Sequence, residues 1–310
     1  MSRRLLVAGE RGPLRAALLD SAGRLEGFWQ FGSASASLVG DRFLGRITAV
    51  DRGLDAAFLD LGLEKPGFLP LSRAPSPPVE GQSLVVEVTR DPHHGKGARL
   101  TARLPDPMKP PTGARPPLRL AKGDPLGRLL GRLGALEVEA DTRRLAETLD
   151  AAAPPRAGGP EIIVHHRPQR EWDRSMADIE TELAEALDPR VELPSGGWLL
   201  FEPCRTLTVI DVNSGTTQGG EGERNRLKTD LEAARAIARQ LRLRHIGGIV
   251  VVDFIDLDRP DHRRQLAEVL REAIADDWEP CQAGAMSRLG LVEMTRRRSG
   301  PSLAEMRGEE

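Results

Sequence analysis

Two apolar segments, each running directly into an aspartate, constrain the fold more than any other feature. "LTVID" (207–211) and "GIVVVD" (248–253) are β-branched and apolar, and read as buried strands. Between them, "NRLKTDLEAARAIARQLRLR" sets Leu227, Leu231, Ala234, Ala238 and Leu241 at three- and four-residue spacing, the stripe of an amphipathic helix. Strand, long helix and strand make a crossover that lays the two strands side by side in an α/β layer. Their carboxyl ends then share one sheet edge, where open α/β sheets bind ligands. Asp211 and Asp253 both fall on that edge, and Asn213 follows closely.

A buried, unpaired carboxylate is costly or gives up its charge. Asp211 must therefore meet water, a cation or a metal ion. Two carboxylates with an amide oxygen form a hard-oxygen set, which suits Mg²⁺ completed by water and substrate phosphate. The spacing alone equally suits aspartates that cap loops or pair with arginine. Asp256 is offset by an odd number of positions from Asp253, so it should face the opposite side if the strand continues.

Upstream, residues 3 to 31 read as strands joined by Gly-containing turns. Residues 39 to 104 read as five short strands, "FLGRITAV", "LDAAFLDLG", "PGFLPL", "SLVVEVTRD" and "ARLTARL", at the spacing of a small oligonucleotide-binding barrel. Aromatics are scarce at 4%, and tyrosine is absent, so Phe58 and Phe68 in this unit stand out. They are either core residues or a stacking platform for single-stranded bases. Lys96 in "HHGKG" sits in a glycine-flanked turn able to approach a phosphate. His93, His94, His165 and His166 read as surface residues, because adjacent side chains in a strand point to opposite faces.

"PDPMKPPTGARPP" (105–117) contains six prolines and marks a linker, assigned to 105–122. From 105 to 132, Lys109, Arg115, Arg119, Lys122, Arg128 and Arg132 against Asp106 and Asp124 make the chain locally basic, which suits either a solvated linker or an RNA-backbone contact. Net charge is -2, so any polyanion site must be a local patch. The two cysteines, Cys204 and Cys281, cannot supply a four-thiolate zinc site. No apolar run reaches the roughly 18 residues of a membrane span, and the apolar run in "MSRRLLVAGERG" is too short for a signal peptide. A soluble, cytoplasmic protein is expected.

The words "FLGRITAVDRGLDAAFLDLGLEKPGFLPL", "GKGARLT", "VELPSGGWLLFE", "LTVIDVNSG", "LEAARAIARQLRLRHIGGIVVVDFIDL" and "SRLGLVEMTRRR" resemble the bacterial ribonuclease E/G endoribonucleases. The resemblance implies an α+β multidomain chain. Residues 1–38 and 123–190 would form a ribonuclease-H-like region, with an S1-type barrel (39–104) inserted and a DNase-I-like α/β catalytic subdomain at 191–310. It implies Mg²⁺-dependent cleavage of single-stranded RNA, giving a 5′-phosphate and a 3′-hydroxyl. Asp211 and Asp253 would hold the metal, Asn213 would assist, and Phe58, Phe68 and Lys96 would bind RNA. The alternatives are a non-cleaving S1-type RNA-binding protein on the same fold and a small-molecule phosphodiesterase. The interval 105–190 is short and shows no clear counterpart of the family's 5′-sensor. The zinc-link cysteine motif is not found, and "WEPCQAGAMSRLG" around Cys281 is less basic than in the family. No 5′-end sensing and no zinc-linked tetramer are therefore expected, while a homodimer is left open.

Overall fold

The computed structural model describes residues 3–9, 13–31, 38–92, 95–104, 107–133, 136–152, 162–167, 169–215 and 222–308. His93, His94 and the glycine- and threonine-rich run after Gly215 lie outside these residues. The chain divides into two compact units, Met1–Ser33 with Arg132–Glu310, and Ala34–Gly131.

The first unit opens with β1 (Arg4–Ala8), β2 (Leu14–Leu19) and β3 (Leu25–Phe31), an antiparallel meander. The second unit is then inserted. Its strands are β4 (Arg42–Asp51), β5 (Ala56–Asp60), β6 (Gly67–Pro70), β7 (Ser83–Arg90), β8 (Arg99–Thr101) and β9 (Leu118–Ala121). The pairing order β5-β6-β8-β7-β4 is closed by β4 bonding β5, so five strands make a barrel. Closure removes the open edges a small sheet would otherwise expose. A register shift between Ile47 and Ala49 marks where β4, paired with β7 through its first half, continues along β5. Phe43, Ile47, Leu59, Leu69, Val86, Val88 and Leu100 fill the interior.

β9 lies inside the segment whose prolines predict a linker. It adds to β4 at Phe43↔Arg119 and is pinned by the buried Asp41, which accepts from the Gly123 amide at 2.7 Å and pairs with Arg119. A helix with no clear sequence expectation, α1 (Pro125–Leu133), follows. Three of the six basic residues in 105–132 are engaged internally. Arg119 pairs with Asp41, Arg128 donates to the Val39 carbonyl, and Arg132 pairs with Glu279.

The chain then returns to the first sheet. β10 (Leu136–Ala140) adds parallel to β1, α2 (Arg143–Ala152) follows, and β11 (Ile162–His166) adds parallel to β10. His165 is exposed, as is His166. α3 (Gln169–Glu185) packs Trp172, Ile179 and Leu183 against Leu6, Leu25 and Phe28.

A second sheet completes the unit. β12 (Arg190–Glu192) and β13 (Trp198–Pro203) form a hairpin, followed by β14 (Leu207–Asn213), α4 (Gly222–Leu243), β15 (Gly248–Asp253), α5 (Pro260–Ala275), β16 (Cys281–Ala283), β17 (Leu291–Arg296) and α6 (Leu303–Arg307). The strand order is β12-β13-β14-β15-β17-β16, with β14 and β15 parallel. α4 and α5 cover one face, burying Ile237, Leu241, Leu266 and Leu270 against Ile210, Val212, Val250 and Val252. α5 starts with Pro260 at its first position and Asp261 in its first turn, where it meets the helix dipole and pairs with Arg259 at 2.7 Å. Among the described residues, no helix is long and apolar enough to cross a membrane.

Candidate active site and nucleic-acid interface

Alternation along β14 and β15 decides where the carboxylates go. Ile210, Val212, Val250 and Val252 point into the core beneath α4 and α5. Asp211, Asn213 and Asp253 therefore project from the opposite, uncovered face. Asp211 and Asp253 are direct register partners on adjacent parallel strands, so their backbones lie about 4.8 Å apart. The Asn213 amide donates to the Asp211 carboxylate at 2.8 Å. That bond fixes the Asp211 rotamer and leaves the Asn213 carbonyl oxygen as a further hard acceptor.

The like charges gathered at this edge suit a cation. Partial burial raises the Asp253 pKa, and the neighbouring Asp211 and Asp256 charges raise it further. β15 stops at Asp253, so the parity rule that would turn Asp256 away does not apply, and Asp256 adds to the negative potential. Two facing carboxylates with an adjacent amide oxygen are a donor set that fits a divalent hard cation. Among the described residues no three His, Cys, Asp or Glu side chains cluster into a metal cage. An ion held by two carboxylates and one amide oxygen would keep positions for water and a phosphate oxygen, the usual habit of Mg²⁺.

Support for this edge comes from residues the sequence does not advertise. Asp230 of α4 is fully buried, accepts from the Ile255 amide at 3.1 Å, and so tethers the loop leaving Asp253. Burial pushes its pKa up to about 7. The hairpin turn before β13 is held by Ser195, whose amide donates to Glu232 at 2.7 Å and whose hydroxyl meets Thr229 at 3.2 Å. Gly197 and Gly215 let this turn press on β14. A Cβ on Gly197 would drive into the Asn213 carbonyl, and one on Gly215 into the Gly196 carbonyl. The words "SGG" and "NSG" were the available signal for this contact.

On the barrel, Phe58 and Phe68 are register partners of β5 and β6. Their rings are 5.9 Å apart and nearly perpendicular. Both are half-buried and lie outside the barrel core cluster, so each keeps a solvent-facing edge. Arg99, unmarked in the sequence, sits across from Phe68 with its guanidinium 5.7 Å from the ring centre. Lys96 is exposed in the turn before β8. A shallow groove lined by Val50, Arg52, Phe58, Pro78 and Val79 runs beside Phe58.

The profile of the Ribonuclease E/G family matches residues 137–299, more than half of the chain. The chain belongs to the ribonuclease E/G family. Ribonuclease E of Haemophilus influenzae is 30% identical over 400 aligned positions, covering 98% of this chain and 42% of that protein. Ribonuclease G of Escherichia coli is 28% identical over 408 positions, covering 98% of this chain and 81% of the relative. Ribonuclease E of a Nostoc species is 45% identical over 152 residues, covering 48% of this chain and 22% of the relative. The chain thus spans less than half the length of these ribonuclease E relatives. Asp211, Asn213, Asp230 and Asp253 all fall inside the ribonuclease E/G match, as do the hairpin turn and α4.

Proposed function

We propose that this ribonuclease E/G family chain is an endoribonuclease that cuts single-stranded RNA with the help of Mg²⁺. The observation that carries this reading is the register pairing of Asp211 with Asp253 on the uncovered face, with Asn213 bonded to Asp211. Asp211 and Asp253 would hold the ion. When bound, Mg²⁺ supplies charge neutralisation at the phosphate and makes water a better nucleophile. Asn213 orients Asp211 and offers its amide oxygen toward the same space. Asp230 holds the loop behind Asp253, and the Ser195–Gly197 turn holds the end of β14. Hydrolysis would leave a 5′-phosphate and a 3′-hydroxyl. The barrel would grip the RNA through Phe58, Phe68 and Lys96, with Arg99 added to that set. Insertion of the barrel between β3 and β10 of one mixed sheet supports reading that sheet as the ribonuclease-H-like region. The two-helix layer over the second sheet supports the DNase-I-like reading.

Labelled single-stranded RNA incubated with Mg²⁺ or with EDTA tests this. Discrete products are expected only with Mg²⁺. Asp211→Asn and Asp253→Asn should each abolish cleavage while RNA affinity and melting temperature stay close to wild type. Tight RNA binding by the wild type with no products under any divalent ion would instead establish a non-cleaving RNA-binding protein.

A further inference from the structure

The turn between β16 and β17 reaches the same sheet edge as the carboxylate pair, and the proposed reaction leaves it without a role. Leu291, the first residue of β17, is the register partner of Asp253. The residues just before it therefore run past the carboxyl end of β15. Gly290 lies against the loop beyond that end, since a Cβ there would be 3.2 Å from an Asp256 carboxylate oxygen and 3.9 Å from the Phe254 carbonyl.

The tip is braced from within. The Ser287 amide donates to the Leu291 carbonyl at 2.8 Å, and the Gly290 amide donates to the Ser287 carbonyl at 3.2 Å. The Ser287 hydroxyl accepts from the amides of both Leu289 and Leu291 at 3.2 Å. This scaffold holds Leu289 out in solvent at 80% exposure, the most exposed large apolar side chain among the described residues. Arg288 beside it is exposed and makes no ion pair among the described residues.

A single exposed leucine is ordinary on a protein surface; what sets this one apart is its place, on a hydrogen-bonded turn at the edge that carries the carboxylate pair. The local charge says what that partner needs. Asp211, Asp253 and Asp256 repel a polyanion, and exposed Glu293 lies one strand over. An approaching RNA strand therefore gains from a fixed cation at this edge. Arg288 offers a fork-shaped guanidinium for phosphate oxygens. Leucine is among the side chains that wedge between stacked bases.

We propose that Arg288 and Leu289 form a substrate jaw at the active-site edge. Leu289 wedges against a base next to the cut and separates it from its neighbour. Arg288 takes an oxygen of a phosphate flanking the scissile one. The inference rests on the RNA-cleaving reading of the Asp211–Asp253 site.

The test uses the full chain and two readouts. The first is kcat and KM on labelled single-stranded RNA for Arg288→Ala, Arg288→Lys and Leu289→Ala. Melting temperatures should match wild type, because both side chains are exposed. Arg288→Ala should lower kcat/KM by about tenfold or more, with partial recovery in Arg288→Lys. Leu289→Ala should raise KM and redistribute the cut positions. The second readout is the fluorescence of 2-aminopurine, stepped along an RNA bound to the non-cleaving Asp253→Asn variant. Unstacking should brighten one position, and adding Leu289→Ala should remove the signal. Wild-type kcat/KM, an unchanged cut pattern and no Leu289-dependent fluorescence would overturn the jaw. A wild type that never cleaves, yet shows the Leu289-dependent signal, would overturn the nuclease reading and leave the jaw standing.

Discussion

Asp211 and Asp253 are readable in the sequence because an apolar strand that ends in an acid is conspicuous. Asp230 is not. In "KTDLEAA" it looks like an ordinary helix acid, and only the loop folding back from β15 buries it. Its chemistry makes a sharp prediction. In the folded protein its pKa is about 7, raised from 3.8 first by burial and then by Asp256, against the opposing effects of the Ile255 amide and Arg226. The folded state thus holds this proton more tightly than the unfolded chain. Stability from this group is greatest below pH 4 and is lost as pH rises towards and through 7. Asp230→Asn keeps an acceptor for the Ile255 amide and carries no charge. Its melting temperature should match wild type near pH 4 and exceed it at pH 8, by on the order of 2–4 kcal/mol in stability. Parallel pH profiles for the two proteins would refute this. Phe58 and Phe68 show the opposite case: their type is informative, while their setting is not legible in sequence. Either a core or a stacking role suits two phenylalanines in a small barrel. Half-burial outside the core cluster favours stacking. Phe58→Ala and Phe68→Ala should each weaken RNA binding by about 1–3 kcal/mol. The stability cost should stay below the roughly 3–5 kcal/mol of a buried phenylalanine. Normal affinity in a strongly destabilised variant would place them in the core instead.

At the level of elements, regular alternation was legible and long-range capture was not. The five barrel strands follow from their apolar patterns and turns. β9 does not, because the prolines of 105–117 suggest a linker, and α1 gives no clear signal because Gly127 and Gly131 interrupt its pattern. What makes Leu118–Ala121 a strand is the open side of β4 together with the buried Asp41 that holds Gly123 and Arg119. α4 shows a similar limit. Its apolar stripe predicts one buried face, yet it also meets the first sheet. Arg239 donates to the Leu25 carbonyl at 2.7 Å, and Arg242 pairs with Glu26 at 3.1 Å. A second polar tie secures the β17 end of the second sheet. Arg296 forms a two-pronged pair with Asp277 at 2.7 and 2.9 Å and also donates to the Ile246 carbonyl at 3.0 Å. Both side chains of the pair are at most 2% exposed. Removing one partner strands the other charge in the core, so Asp277→Ala should cost about 3–5 kcal/mol. Urea unfolding of the full chain measures it. A loss under 1 kcal/mol would mean that water reaches Arg296 freely.

Across the whole molecule, the segment between the barrel and the second sheet bears on whether an RNA-cleaving chain of this fold could read an RNA end. The relatives align over 400 positions or more, against 310 residues here, so they carry insertions relative to this chain. Reading a 5′-monophosphate needs a cation and hydrogen-bond donors fixed in a pocket. The described residues from 118 to 185 are largely committed elsewhere. Leu118–Ala121 extends the barrel sheet, Leu136–Ala140 and Ile162–His166 complete the first sheet, and Gln169–Glu185 supplies its core. Arg119, Arg128 and Arg132 are bonded within the fold, which leaves Lys109, Arg115, Lys122, Arg143 and Arg144 exposed on separate elements. Scattered exposed cations attract every phosphate alike and are screened by salt. Cleavage rates should therefore differ little between 5′-monophosphate and 5′-hydroxyl forms of one RNA. Affinity for both should fall together as salt rises. Paired rates at low and high salt decide the matter. A strong monophosphate preference that persists at high salt would require a built pocket, and with it a role for this segment beyond completing the two folds.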